Sequence, residues 1–419
     1  MTRKKIFGAA VCTTLLFAAG CSSDNEAPNN EPVVDEAALV TGDYQTEPSE
    51  PFGELDQNEV LDFESQRMAE YVSFPYEISS ELPDRGQTPI HGIRDAAQAY
   101  GDKAQEQIFR DNSMLMGFLT KGTTPSVGDE VPAKQLNHQV LRFASEDNSR
   151  AAAEALHESY LAPQPSFDET QPPSPGGEPA EVPGHPETLA VTMPVYDTDH
   201  TQTVLAFTPR GEKMILDVFT VAPEDVQWAL DTAANSVDVQ GPLIDQFYGA
   251  ETTLNPRPED APKVDREVDQ DELLIYALPS TEDESNMNGS GKAVYGPRGF
   301  SHLSGDSERT YTALEDAGVK NIAFWDTTVI RAEDDDKTAK LADELIAIDT
   351  ESGFKEADSP AGLPTATCMS KAESMGMQYL CYIVNGRYIG ISTELDDLEA
   401  AQEKISAQYL VLKQADQNA

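Results

Sequence analysis

Two of the four cysteines in this chain, Cys368 and Cys381, lie close enough in sequence to act together. A thiol pair can hold a metal or oxidise. A zinc site needs two further ligands, and no histidine lies near either residue. Oxidation depends on compartment, and the N-terminus speaks to that. Arg3, Lys4 and Lys5 precede an apolar run over 6–17, and Ala18-Ala19-Gly20 lead into Cys21 and a polar stretch over 22–32. This is the pattern of an export signal with its cut site, and the run is too short for a membrane helix of about 20 residues. An exported chain meets oxidising surroundings, so Cys368 and Cys381 are expected to form a disulfide. Their Cα atoms should stand roughly 4.4–6.8 Å apart. Closing a loop of about 14 residues contributes on the order of 3 kcal/mol in the chain-entropy account.

Other reactive patterns fall short of a known chemistry. Asn288-Gly289-Ser290-Gly291-Lys292-Ala293 has a phosphate-loop look, but a Walker loop needs Gly at 286 and Ser or Thr at 293, where Asn and Ala stand. Gly299-Phe300-Ser301-His302-Leu303 lacks the second glycine of a nucleophile elbow. The histidines at 91, 138, 157, 185, 200 and 302 show no metal-binding spacing and read as packing or surface residues. Glu333-Asp334-Asp335-Asp336 lacks the glycine and distal glutamate of a calcium loop. Its place before an amphipathic segment suits a helix N-terminus, where acids meet the positive end of the dipole. Arg142 and Arg331 read as strand-end anchors for carboxylates, and Trp228 and Trp325 as core. No cofactor, metal or catalytic residue is nominated.

The elements that would position such residues recur. Residues 140–156 align without gaps to 329–345 at a constant offset of 189, matching Val140 to Val329, Arg142 to Arg331 and Leu156 to Leu345. Both read as strand, acidic turn and alanine-rich helix. Each is followed by a hairpin, at 204–220 and 379–393, with Gly211 and Gly386 supplying the turns and Asn385-Gly386 read as a type I′ pair. Helices over 223–247 and 396–413 follow. Upstream, helices are expected at 57–71 and 90–109 and a strand at 114–120. The order predicts an α+β fold of two tandem ferredoxin-like β-α-β-β-α repeats, each an antiparallel sheet with its helices on one face. The expected organisation is a signal peptide at 1–20 and a lipid anchor with a disordered acidic stalk at 21–42. The first repeat then spans 43–249 with a structureless Pro-rich insert at 163–186, a linker 250–271, and the second repeat 272–415. The segment between helix and hairpin in the second repeat, 350–378, reads as a long irregular insert holding Cys368.

The formal charge is −45, from 74 acids against 29 Lys and Arg. Such a surface repels nucleic acid and anionic headgroups, which excludes nucleic acid as an expected partner. With 39% apolar residues the chain can still bury a core.

The ending Ala18-Ala19-Gly20-Cys21 resembles the lipobox of bacterial lipoproteins, with Ala18 where leucine is usual. That resemblance implies a diacylated Cys21 as the mature N-terminus and a tether on the outer face of the cytoplasmic membrane. Three further stretches carry a wider likeness: Thr41-Gly42-Asp43-Tyr44-Gln45-Thr46, Arg67-Met68-Ala69-Glu70-Tyr71-Val72, and Arg387-Tyr388-Ile389-Gly390 with Ala407-Gln408-Tyr409-Leu410-Val411-Leu412. Through them the chain resembles uncharacterised envelope lipoproteins of mycobacteria, nocardiae and corynebacteria. The family implies envelope location and a tandem fold, and brings no activity. The expected function is a non-enzymatic binding or interaction module, meeting the membrane through Cys21 and an envelope protein or lipid as partner. The alternatives are a lipid or glycolipid carrier with an apolar cavity between the repeats, and a carboxylate-dependent hydrolase.

Overall fold

In the computed structural model, the described residues are 33–55, 59–98, 103–125, 133–163, 175–195, 200–251, 267–280 and 292–419. Cys21, residues 22–32 and the 288–291 part of the glycine-rich loop lie outside them, as does most of the 250–271 linker.

Two sheets organise the chain. The first contains β1 (Asp84–Ile90), β2 (Met114–Thr123), β3 (Lys134–Phe143), β4 (Glu178–Ala180), β5 (Leu189–Thr192), β6 (Gln202–Arg210) and β7 (Lys213–Val221). The second contains β8 (Ala293–Tyr295), β9 (Ile322–Phe324), β10 (Thr327–Arg331), β11 (Lys355–Ala357), β12 (Thr367–Glu373), β13 (Gly376–Asn385) and β14 (Tyr388–Leu395). All pairings are antiparallel. The orders β1-β2-β3-β7-β6-β5-β4 and β8-β9-β10-β14-β13-β12-β11 are the same arrangement, strand for strand.

The helices keep that correspondence. Between β1 and β2 lie α3 (Ile93–Gln98) and α4 (Lys103–Asp111), preceded in the chain by α1 (Val60–Met68) and α2 (Pro75–Ile78). The first unit continues with α5 (Glu146–Leu161) after β3 and α6 (Val226–Ile244) after β7. Their counterparts are α7 (Pro297–Ser301) and α8 (Ser307–Asp316), then α9 (Asp335–Glu351) and α10 (Leu398–Leu412). Ser145 caps α5 by accepting the Asn148 N–H, and Asp334, at the aligned position, caps α9 by accepting that of Lys337.

The ferredoxin-like expectation needs correcting at its faces. Such a unit keeps both helices on one side of the sheet. Here α5 packs its Ala152, Ala153 and Leu156 with Leu141, Leu205 and Leu216, while Ala229 and Ala233 of α6 pack with Leu136, Val204 and Phe219 on the opposite face. In the second unit α9 covers Ile330, Leu380 and Ile389, and α10 covers Val329, Cys381 and Ile383 from the other side. Each unit is therefore layered helix, sheet, helix. The reason is visible in the strands: Met214-Ile215-Leu216 and Phe118-Leu119 are buried at successive positions, as strands covered on both faces must be.

Other boundaries move as well. The helix expected over 90–109 is two helices, α3 and α4, and Ile90 is the last residue of β1. The Pro-rich insert contains edge strand β4 and a buried Val182, so it is not structureless throughout. The 350–378 segment is regular over much of its length, holding the end of α9, β11, all of β12 and the start of β13. Both hairpin turns place the glycine first, as Gly211-Glu212 and Gly386-Arg387, with positive φ at the glycine alone. That is the pattern of a type II′ turn, not the I′ expected from Asn385-Gly386. The stalk also ends early: the Asp35 N–H donates to Gly362, and Val34, Leu39, Tyr44 and Phe52 pack onto the second unit's core. Residues 33–55 thus belong to the unit that follows them by more than 200 residues.

Candidate functional site

Helix α1 lies at the seam of the two units. Val60 and Phe63 join the second unit's core, while Met68 and Ala69 pack with Phe118 of the first sheet and with Ala293 and Tyr295 of β8. A 3-10 turn over Ala69–Tyr71 then redirects the chain into α2. Beside this turn is a cleft of about 370 Å³ lined from both units: by Glu64, Glu70 and Tyr71 on one side and Gly296, Lys320 and Asn321 on the other.

Two carboxyls are built into its wall. Glu70 accepts the Gly299 N–H at 2.8 Å. Burial pushes its pKa up to about 7, against the opposing pull of that N–H and of Arg298. Gly296 permits the placement, because a Cβ there would collide with the Glu70 carboxylate. Glu64 is buried and accepts the Ala250 N–H at 2.6 Å. The Ala250 carbonyl receives Arg142 Nη2 at 3.1 Å, and Arg142 Nε donates to Glu212 at 3.1 Å. One residue at the end of the first unit is thus held through its N–H by a buried acid and through its C=O by a buried base. At the aligned position Arg331 lies 3.9 Å from Asp271, so both repeat arginines meet carboxylates as the sequence suggested.

Aromatic and amide groups complete the lining. Tyr71 and Phe247 pack with centroids 5.6 Å apart, and Tyr248 next to them is 51% exposed. Gln246, Gln270 and Asn321 bring side-chain amides to the same cleft. The wall therefore combines a carboxyl that exchanges its proton near neutrality, aromatic surface and planar amides.

A second constellation resembles a catalytic triad and is not one. Ser73 Oγ lies 3.4 Å from His138 Nε2, and His138 Nδ1 is 2.6 Å from Asp217 Oδ1. Gln240 decides the protonation. Its Oε1 accepts the Ser73 backbone N–H at 2.8 Å and its Nε2 donates to the Tyr71 carbonyl at 2.7 Å, which fixes the amide. The same Oε1 is 2.9 Å from His138 Nε2, so that nitrogen carries a hydrogen and cannot take one from Ser73. All four side chains are buried. The cluster ties α6 to β3, β7 and the turn after α1.

The nominated residues fall as follows. Cys21 is outside the described residues. Cys368 and Cys381 are directly opposite each other on β12 and β13 and are disulfide-bonded, with Cα atoms 4.1 Å apart. That is shorter than expected because facing residues of an antiparallel ladder approach to about 4.5 Å. Ser301 and His302 turn apart, Ser301 donating to the Pro297 carbonyl and His302 Nε2 donating to that of Val72. Burial holds His302 neutral, its pKa down near 3. Trp228 and Trp325 are half-buried against Phe219 and Phe52. Among the described residues no group of three His, Cys, Asp or Glu is placed to hold a metal ion. Sequence reasoning missed Glu64, Glu70 and the His138 cluster, because their partners are dispersed along the chain and no spacing marks them.

Residues 53–252 match the N-terminal part, and residues 273–415 the C-terminal part, of a family described as a domain of unknown function (DUF7373). The chain belongs to the DUF7373 family. No curated protein matches it. Among solved structures, it is similar to the extracellular domain of PknH from Mycobacterium tuberculosis, at 10% identity and a TM-score of 0.31 over 46% of this chain and 99% of that one. Ala250, which Glu64 and Arg142 hold, lies at the end of the first matched segment. The cleft thus draws on both segments of the DUF7373 chain.

Proposed function

We propose that this DUF7373 protein is a lipid-anchored, extracytoplasmic binding module that takes its ligand in the seam cleft. The observation that carries the binding role is the cleft itself, with walls from both units and a buried carboxyl at its base. Small-molecule sites favour such junctions between units. The anchor rests on the sequence: basic start, short apolar run, small residues before Cys21 and a polar stretch behind it.

The test begins with protein purified from membranes in mild detergent. Mass spectrometry of its N-terminal peptide should find a diacylglyceryl group on Cys21, and an unmodified Cys21 in soluble protein would defeat the anchor. Native mass spectrometry should find a co-purifying small molecule that is lost from an Asn321→Trp variant, whose side chain fills the cleft. Identical co-purifying species in both would defeat the binding site.

The carrier reading has less support, since Met68, Met116, Phe118 and Tyr295 fill the space at the seam core. Carboxylate-dependent hydrolysis draws on one observation, Glu70 held near neutrality in the same cleft as Glu64.

A further inference from the structure

Resting on the seam as a ligand site, we infer that its ligand is a neutral polyhydroxylated molecule, a monosaccharide or disaccharide unit, free or at the end of a glycan. A sugar ring has an apolar C–H face and a rim of hydroxyls, each both donor and acceptor. Its site needs exposed aromatic surface and planar groups that exchange hydrogen bonds in pairs. The cleft supplies both. Tyr248 presents an exposed ring beside the packed Tyr71–Phe247 pair. Gln246 uses its Nε2 on the Pro242 carbonyl and Asn321 its Nδ2 on Asp271, leaving each amide oxygen to accept from a ligand. Glu70 adds a carboxyl that can donate or accept at neutral pH.

The other ligand classes fit less well. An anion would approach a chain of net charge −45, and in the wall Arg67 and Lys320 are offset by Glu64 and Glu70. An acyl chain would leave the Gln246 and Asn321 amide oxygens without a donor. A polycation would meet Arg67 and Lys320 in the same wall. The volume lies at the low end of small-molecule pockets, roughly 300–1,000 Å³, which suits one or two rings and not the body of a polymer.

The experiment is saturation-transfer NMR on the full mature chain carrying Cys21→Ser. The probes are glucose, galactose, mannose, arabinose and maltose, with citrate, spermidine and glycylglycine as other chemistries. At least one sugar should receive saturation, with the signal reduced tenfold or more in Tyr248→Ala, kept in Tyr248→Phe and lost in Asn321→Trp. Comparing free sugars with their methyl glycosides separates the sources: tighter binding of the glycoside points to a glycan end, of the free sugar to a soluble ligand. Saturation of a non-sugar probe alone, lost in Asn321→Trp, would overturn the sugar and leave the cleft a binding site. No probe sensitive to Asn321→Trp would overturn both. A sugar signal unchanged in Tyr248→Ala would overturn the proposed geometry.

Discussion

Arg298 of the second unit grips both carboxylate oxygens of Glu77 in the first, at 2.7 and 3.1 Å. Its guanidinium lies between the rings of Phe74 and Tyr311, 4.8 Å from each centroid. Glu77 also accepts the Phe74 N–H and so caps α2. One carboxylate thereby starts a helix in one unit and anchors the other. Planar Arg suits this role and Lys does not, since it pairs bidentately and stacks at once. Arg298→Ala should lower stability by about 2–3 kcal/mol, as losing part-buried hydrogen bonds between charged groups does, and Arg298→Lys should recover only part. Urea denaturation followed by fluorescence measures this. A loss below about 1 kcal/mol would show that the seam does not depend on the pair.

The seam also carries two groups with opposite responses to pH. Glu70 has its folded pKa raised from 4.5 to about 7. The folded state therefore binds its proton more tightly, and stability is lost as pH rises from roughly 4.5 through 7. Burial lowers the pKa of His302 from 6.5 to about 3. The unfolded state then binds more protons below pH 6.5, and stability falls by about 1.4 kcal/mol per pH unit on that side. Between about pH 4.5 and 6.5 the two slopes oppose each other, so Glu70→Gln should uncover the full His302 rise there and remove the fall towards pH 7, a change on the order of 3 kcal/mol across the window. Equal pH profiles for wild type and Glu70→Gln would contradict this assignment.

His138 holds a buried partner rather than a nucleophile. His138→Ala strands Asp217 in the core and should cost about 3–5 kcal/mol. Ser73→Ala removes the Oγ hydrogen bond to Gln240, keeps the backbone one, and should cost about 1 kcal/mol. A fluorophosphonate probe should leave Ser73 unlabelled in the native protein, and labelling there would reverse the reading.

Cys368 and Cys381 close a short loop across β12 and β13, with 13 residues of separation. Cys381→Ser should lower stability by about 3 kcal/mol. Hydrogen exchange should quicken in β11, β12 and β13 while β2, β3 and β7 stay protected. Equal loss in both sheets would mean that the bond supports the whole chain.

Much of the architecture was legible because the same local signals occur twice. Ser145 and Asp334 each precede an alanine-rich helix, and Gly211 and Gly386 each sit where two apolar runs turn back. The faces were not legible. Strands buried on both sides, as at Met214-Ile215-Leu216, lose the period-two alternation that would say where the helices lie. Nor could local pattern reveal that Leu39, Tyr44 and Phe52 serve the distant second unit. The cleft depends on Glu70 meeting Gly299 across 229 residues, and one acid among 74 carries no mark of that.

The matched register supplies a last prediction. Val140 faces Ile215 across β3 and β7, and Val329 faces Gly390 across β10 and β14. The aligned valines thus meet residues of opposite size. By strand alternation both partners point to the face covered by the final helix of their unit. A Cβ at Gly390 would stand 2.6 Å from Gln408 Cγ, and 3.1 Å from Leu412 Cδ1 and from Ile383 Cγ2. Gly390 therefore lets α10 approach closely, and that helix brings Gln408 to Thr327 and to the Tyr276 carbonyl, both polar groups of the second core. Gly390→Ala should cost about 1–3 kcal/mol through overpacking. Gly390→Ile, the residue type of the first unit, should displace α10 and expose Gln408. In the first unit the reverse change, Ile215→Gly, removes a buried side chain and should cost about 2–5 kcal/mol. Denaturation curves and exchange of the α10 amides measure both. If Gly390→Ile folds with α10 as protected as in wild type, close packing at Gly390 is not what distinguishes the two units.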